Sequence, residues 1–185
     1  MAIKLCAKKV EGKHDFGTSK FLGYPVLPEG WENEFDDGVL FLLQINLEEI
    51  KDLDKDNLLP HTGYLYFFLD VSDGPYNLRP IVRYFDGEPT SVIDDFNSIV
   101  TGYENFVKPY LVTFEETDDS GDGTRLFGEI SSQYYEDEDR KLLFQFDPYD
   151  PDLGLFPTFD GLIFFFFNEK DKWNFDKVGF MEDFS

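Results

Sequence analysis

A chain of 185 residues with a net charge of −22, 22 Phe and 10 Tyr is the size of one domain and rich enough in rings to build a core without staples. Its charge argues against a nucleic-acid partner, because phosphate binding rests on cationic neutralisation. A single cysteine, Cys6, excludes an intrachain disulfide and fits a reducing compartment.

The charge is uneven. Residues 1–20 hold Lys4, Lys8, Lys9, Lys13 and Lys20 against Glu11 and Asp15, a net of +3, which leaves −25 for the rest. Residues 1–18 therefore read as a basic, loosely packed N-terminal segment ahead of one domain spanning 19–185. No stretch near the N-terminus has the length of a signal peptide, and no apolar run approaches the roughly 20 residues of a membrane span. The expected location is cytoplasmic, with no membrane partner.

Residues 19–31 carry Gly23, Pro25, Pro28 and Gly30. These forbid a helix and predict an extended strap laid across a core. Asp36-Asp37-Gly38 turns into a strand over 39–45. Asn46 can cap a short helix over 46–53, with Glu49 three residues on and Leu47, Ile50 and Leu53 recurring. Strands follow over 64–69, 81–85 and 109–114, with 91–100 open between strand and helical turn. An acidic joint at 115–122 leads to apolar residues 126–130, a charge run at 136–139, strands over 142–146 and 161–167, and a turn with a last short strand within 173–181.

Two stretches share a plan. Leu43-Gln44-Ile45-Asn46 precedes Pro60 and Gly63-Tyr64-Leu65-Tyr66; Phe144-Gln145-Phe146-Asp147 precedes Pro157 and Gly161-Leu162-Ile163-Phe164. This predicts an internal duplication of a strand–connection–strand unit, with half-units at about 19–114 and 123–181. The strand runs are nearly continuous rather than alternating, so both faces should be covered. The fold class expected is mainly β: rolled or barrel-like, mixed-to-antiparallel sheets with a few short helices.

Candidate sites follow from the same landmarks. Gln44 and Asn46 share a strand face, as do Gln145 and Asp147. The four either line a pocket between the repeats or tie the strap to the sheet, and the structural role is preferred. Glu115, Glu116, Asp118 and Asp119, with Glu136, Asp137, Glu138 and Asp139, offer an acidic surface for a basic protein. Asp118, Ser120, Asp122 and Glu129 stand at calcium-loop spacing around Gly123. Arg125 occupies an ordinarily aliphatic place and the flanks read as strands, so no cofactor is expected, with calcium the alternative. No nucleophile, phosphate loop or His-based metal motif stands out. The function expected is that of a noncatalytic acidic interaction protein; the alternative is a small-ligand or enzymatic domain using a pocket between the repeats.

The strap Ser-Lys-Phe-Leu-Gly-Tyr-Pro-Val-Leu-Pro at 19–28, followed by Phe-Leu-Leu-Gln-Ile-Asn-Leu at 41–47, resembles the YwqG-like family, a bacterial domain of unknown function. Residues 143–147, the Gly-led strand at 161–167 and Asn-Phe-Asp-Lys-Val at 174–178 extend the likeness to about residue 181. Leu22 departs from it, standing where the family's strap has a first glycine. The resemblance implies a mainly β roll with few helices and supplies no catalytic residue. Some relatives are encoded near secreted toxin systems, which implies an immunity-like or antitoxin-like role toward a basic partner.

Overall fold

The computed structural model describes residues 1–9, 17–74, 76–118, 123–130, 139–153 and 159–184. Long apolar runs become long strands: β1 (Ala2–Lys9), β4 (Val39–Asn46), β5 (Tyr64–Asp70), β6 (Arg79–Phe85), β8 (Tyr110–Thr117), β10 (Arg140–Phe146), β11 (Gly161–Asn168) and β12 (Gly179–Phe184). Short strands β2 (Lys20–Phe21), β3 (Val26–Leu27), β7 (Ser91–Val92) and β9 (Arg125–Phe127) lie where Pro and Gly cut the runs. One ten-stranded sheet has the order β12-β11-β10-β9-β1-β8-β2-β4-β5-β6, and β3 pairs with β7 in a separate ribbon. Every strand pairing is antiparallel. The sheet curls into a nearly closed barrel. Its end strands are joined by side chains: Leu78 N–H, just before β6, donates to Glu182 of β12 at 3.3 Å, and Tyr84 packs on Phe175 at 5.7 Å.

The sheet order is symmetric about its middle. Reading outward, β1 matches β8, β9 matches β2, β10 matches β4, β11 matches β5 and β12 matches β6. The register agrees: Lys20 faces Gln44 as Arg125 faces Gln145, and Cys6 lies directly opposite Thr113, its own counterpart, on the local two-fold axis. The first strand of each unit is exchanged. β1 pairs with β9 of the second unit, and β8 pairs with β2 of the first. Each unit also repeats a bulge, between Phe41 and Leu43 in β4 and between Leu142 and Phe144 in β10. After β2 and at the end of β9, Leu22-Gly23 and Phe127-Gly128 both turn through positive φ, 57° and 74° against 61° and 90°. Gly63 and Gly161 hold equivalent places, each where a Cβ would collide with a neighbouring backbone carbonyl, at Phe85 and Asp183.

The strands are covered on both faces. Inward-facing Leu43, Phe67, Phe144, Phe165 and Ile163 fill the barrel, where Phe67 meets Phe144 at 4.9 Å and Phe165 at 5.2 Å. Outward-facing Phe41, Tyr66 and Phe68 lie under the strap with Leu27 and Phe96, and outward-facing Leu142, Phe164 and Phe166 form a smaller second layer.

Three expectations change. The units run from β1 to β6 and from β8 to β12 rather than over 19–114 and 123–181, because β8 is the counterpart of β1. Residues 2–9 are no loose segment but a central strand, with Ile3 and Leu5 buried and Lys4 and Lys8 on the outer face. The helix over 46–53 reduces to a 3-10 turn at Leu47–Glu49 and further turns. Leu47, Ile50 and Leu53 recur every three residues, the 3-10 period rather than the α period.

Candidate functional site

The strap crosses the outer face of the first unit along one row of residues in direct register: Lys20 (β2), Gln44 (β4), Tyr66 (β5) and Arg83 (β6). Each member is met from above. The ring of Tyr24 lies 5.0 Å from Lys20 Nζ. Val26 N–H donates to Gln44 Oε1 at 2.9 Å, and Tyr66 donates its hydroxyl proton to Val26 O at 2.8 Å. Trp31 packs edge-on against Tyr66 at 5.7 Å and lies under the Arg83 guanidinium at 5.9 Å.

The equivalent row of the second unit is Arg125, Gln145, Phe164 and Met181. Its inner half repeats four hydrogen bonds of the first row. Gln44 Nε2 donates to Thr18 O at 3.2 Å and Gln145 Nε2 to Gly123 O at 2.7 Å. Asn46 N–H donates to Ser19 Oγ at 2.9 Å, and Asp147 N–H to Thr124 Oγ1 at 3.1 Å. Asn46 Oδ1 accepts from Glu48 N–H and Asp147 Oδ1 from Tyr149 N–H. Glu49 accepts from Ser19 N–H as Asp150 does from Thr124 N–H. The outer half diverges: Phe164 and Met181 are apolar where the first unit has Tyr66 and Arg83.

Gln44, Asn46, Gln145 and Asp147 thus sit at matching posts in the two units, β4 and β10 being separated by four strands of the sheet. They do not converge: the side-chain N–H groups of Gln44, Asn46 and Gln145 donate to backbone carbonyls just before β2 and β9, and Asn46 Oδ1 and Asp147 Oδ1 accept from N–H groups that follow their own strands. Glu115 and Glu116 are exposed on β8, opposite Lys4 and Ile3, and Glu116 pairs with Lys55 at 2.7 Å. Asp118 is exposed beyond them. Asp139 stands apart from these, lining an open groove of about 400 Å³ with Lys141 and Lys170. Asp119, Glu136, Asp137 and Glu138 lie outside the described residues. So do Ser120 and Asp122 of the calcium-loop spacing; its remaining members, Asp118 and Glu129, follow strands β8 and β9 rather than helices.

Sequence reading passed over two features. The first is Lys20, which has no exposed surface and whose Nζ finds no hydrogen-bond acceptor among the described residues. Burial pushes its pKa down to about 8. The corresponding Arg125 reaches Glu129 O at 2.6 Å and Gln145 Oε1 at 3.5 Å, which the longer, forked guanidinium allows.

The second is a groove of about 440 Å³ at the outer end of the polar row. Trp31 and Arg83 of the first unit face Lys172, Trp173, Asn174 and Asp176 of the second. The chain has two tryptophans, and both line this groove. Trp173 is 53% exposed and holds φ at 69°, an unfavourable backbone for a bulky residue. Its indole N–H donates to Leu58 O at 3.1 Å, fixing the ring, and Lys172 Nζ lies 5.2 Å from the ring centre. A fixed, exposed aromatic on a strained backbone is what a binding surface needs and what core packing does not. No sequence motif marks the groove, because its two tryptophans are 142 positions apart and meet only when the barrel curls shut.

Residues 19–95 match a family model described as a domain of unknown function (DUF1963). That span holds the strap, the whole polar row and Trp31, while Lys172 to Asp176 lie beyond it. A search of curated proteins finds no match. Among the described residues no helix is long and apolar enough to cross a membrane.

Proposed function

We propose that this chain is a noncatalytic binding domain whose ligand occupies the groove between its two units. The observation that carries the reading is that both tryptophans, with Arg83 and Lys172, line one groove built from both units. Its volume falls in the range of small-molecule sites, roughly 300–1,000 Å³. The polar row under the strap holds Trp31 in place from behind through Tyr66, so one wall is preorganised. The YwqG-like resemblance, the cytoplasmic location and the absence of a catalytic role belong to this same proposal. Its test is a fragment screen followed by the two indole N–H resonances in proton–nitrogen NMR. Ligands that shift both resonances together support the groove; hits that leave both unmoved, or an empty screen, overturn it.

A second reading, an acidic surface for a basic protein of the toxin kind, is supported by the net charge of −22 and the exposed Glu115 and Asp118. Glu116 is already held by Lys55, which reduces what that patch offers a partner. Specific capture of a basic protein at low salt, lost in a Glu115→Lys/Asp118→Lys variant, supports it; capture unchanged by the variant removes it.

A further inference from the structure

We propose that the groove between the units binds a neutral saccharide. The inference rests on the reading of the groove as a ligand site and adds the chemical class. Its polar side chains are of both signs and close to balance. Arg83 is loosely paired with Glu34 at 3.7 Å, and neither Lys172 nor Asp176 has an ion-pair partner among the described residues. A cationic donor resting against Trp173, a carboxylate acceptor without an ion pair among the described residues and the exposed amide of Asn174 therefore face one space.

An anionic ligand would satisfy Lys172 and be repelled by Asp176, and a cationic ligand would meet the reverse. A hydroxyl both donates and accepts, so a ring bearing several hydroxyls satisfies both groups without importing charge. The same ring has an apolar C–H face, which suits an indole fixed at the surface by its N–H bond to Leu58 O. The groove is open, as a site for part of a longer chain of sugar units would be. Solvent reaches Trp173, Asn174 and Asp176 alike.

The experiment is binding of the full chain to a printed array of neutral and acidic glycans, followed by tryptophan fluorescence titration with the strongest neutral hit. The expected result is a saturable change in emission, unaffected within about twofold between low and roughly 0.5 M salt because the ligand is uncharged. Trp173→Ala should abolish it. Asp176→Asn should weaken it about tenfold, the usual effect of removing one charge-assisted hydrogen bond. Thr113→Val, exposed on central strand β8 and away from the groove, should leave binding unchanged, and melting of each variant separates lost binding from lost fold. Hits confined to acidic glycans, or neutral hits that survive Trp173→Ala in a folded variant, overturn the inference. An array without neutral hits also overturns it: if fragments still shift both indole resonances, the groove reading stands and only the saccharide class falls, whereas an empty fragment screen removes both.

Discussion

At Lys20 the protein places an amine that has no exposed surface and no hydrogen-bond acceptor among the described residues. The sign of the consequence follows from linkage. The folded-state pKa of about 8 lies below the roughly 10.4 of an unfolded lysine, so below pH 8 both states are protonated and the folded state bears the whole cost of burial. That cost is relieved as the pH rises from about 8 to about 10.4, by at most ~3 kcal/mol for a shift of this size. Stability measured by denaturant should therefore climb over that window beyond the trend set by other groups, and Lys20→Met should erase the extra climb. The same substitution should stabilise the protein near neutral pH by about 1–3 kcal/mol, as replacement of a buried charge by a matched apolar chain does. A loss of stability at neutral pH would mean that the amine has an acceptor after all.

Gln44 and Gln145 make the complementary case. Both amides are fully buried and both engage backbone beside a short strand, so Gln44→Leu should strand the Val26 N–H and Thr18 carbonyl. The expected loss is about 1–3 kcal/mol per group left unsatisfied. It should appear in denaturant melts while leaving ligand-induced shifts of Trp173 intact. A variant as stable as the parent would show that water replaces the amide.

At the scale of elements, the strap was legible because its prolines and glycines leave the backbone few choices. The aromatic strands were legible because their runs are too short for helices and too continuous for a one-sided sheet. β1 was not, although Ile3, Leu5 and Ala7 alternate with Lys4, Cys6 and Lys8; its lysines carried more weight than its alternation. In the folded sheet Lys4 pairs with Asp152 at the surface while its neighbours reach the core. The turn after Asn46 resembles a helix in sequence because a capping residue and an apolar spacing of three open α-helices and 3-10 turns alike. The candidate groove was beyond reach: its walls depend on the barrel's curvature, which no local pattern encodes. β1 yields a sharp test. Leu5→Ala, a buried truncation in a central strand, should cost about 2–5 kcal/mol. Were residues 1–9 loosely packed, circular-dichroism melts would show almost no change.

The whole molecule carries −22. Self-repulsion of this kind weakens the compact state and is screened by salt. The melting temperature should rise between about 20 and 300 mM sodium chloride, where exposed pairs such as Lys55–Glu116 alone would make it fall. A flat or falling profile in calorimetry would show that the carboxylates are too dispersed to act together.

The exchange of first strands has a price in time. Both neighbours of β1 are made late: β8 begins at Tyr110 and β9 at Arg125. A ribosome adding roughly 5–20 residues per second releases β1 many seconds before either partner exists. Through that interval the nascent chain presents an unpaired edge bearing Ile3 and Leu5, and its closure waits on contacts spanning more than a hundred residues. Lysines at positions 4, 8 and 9 then serve a second purpose, since charge along a bare strand is what keeps it from pairing with another chain.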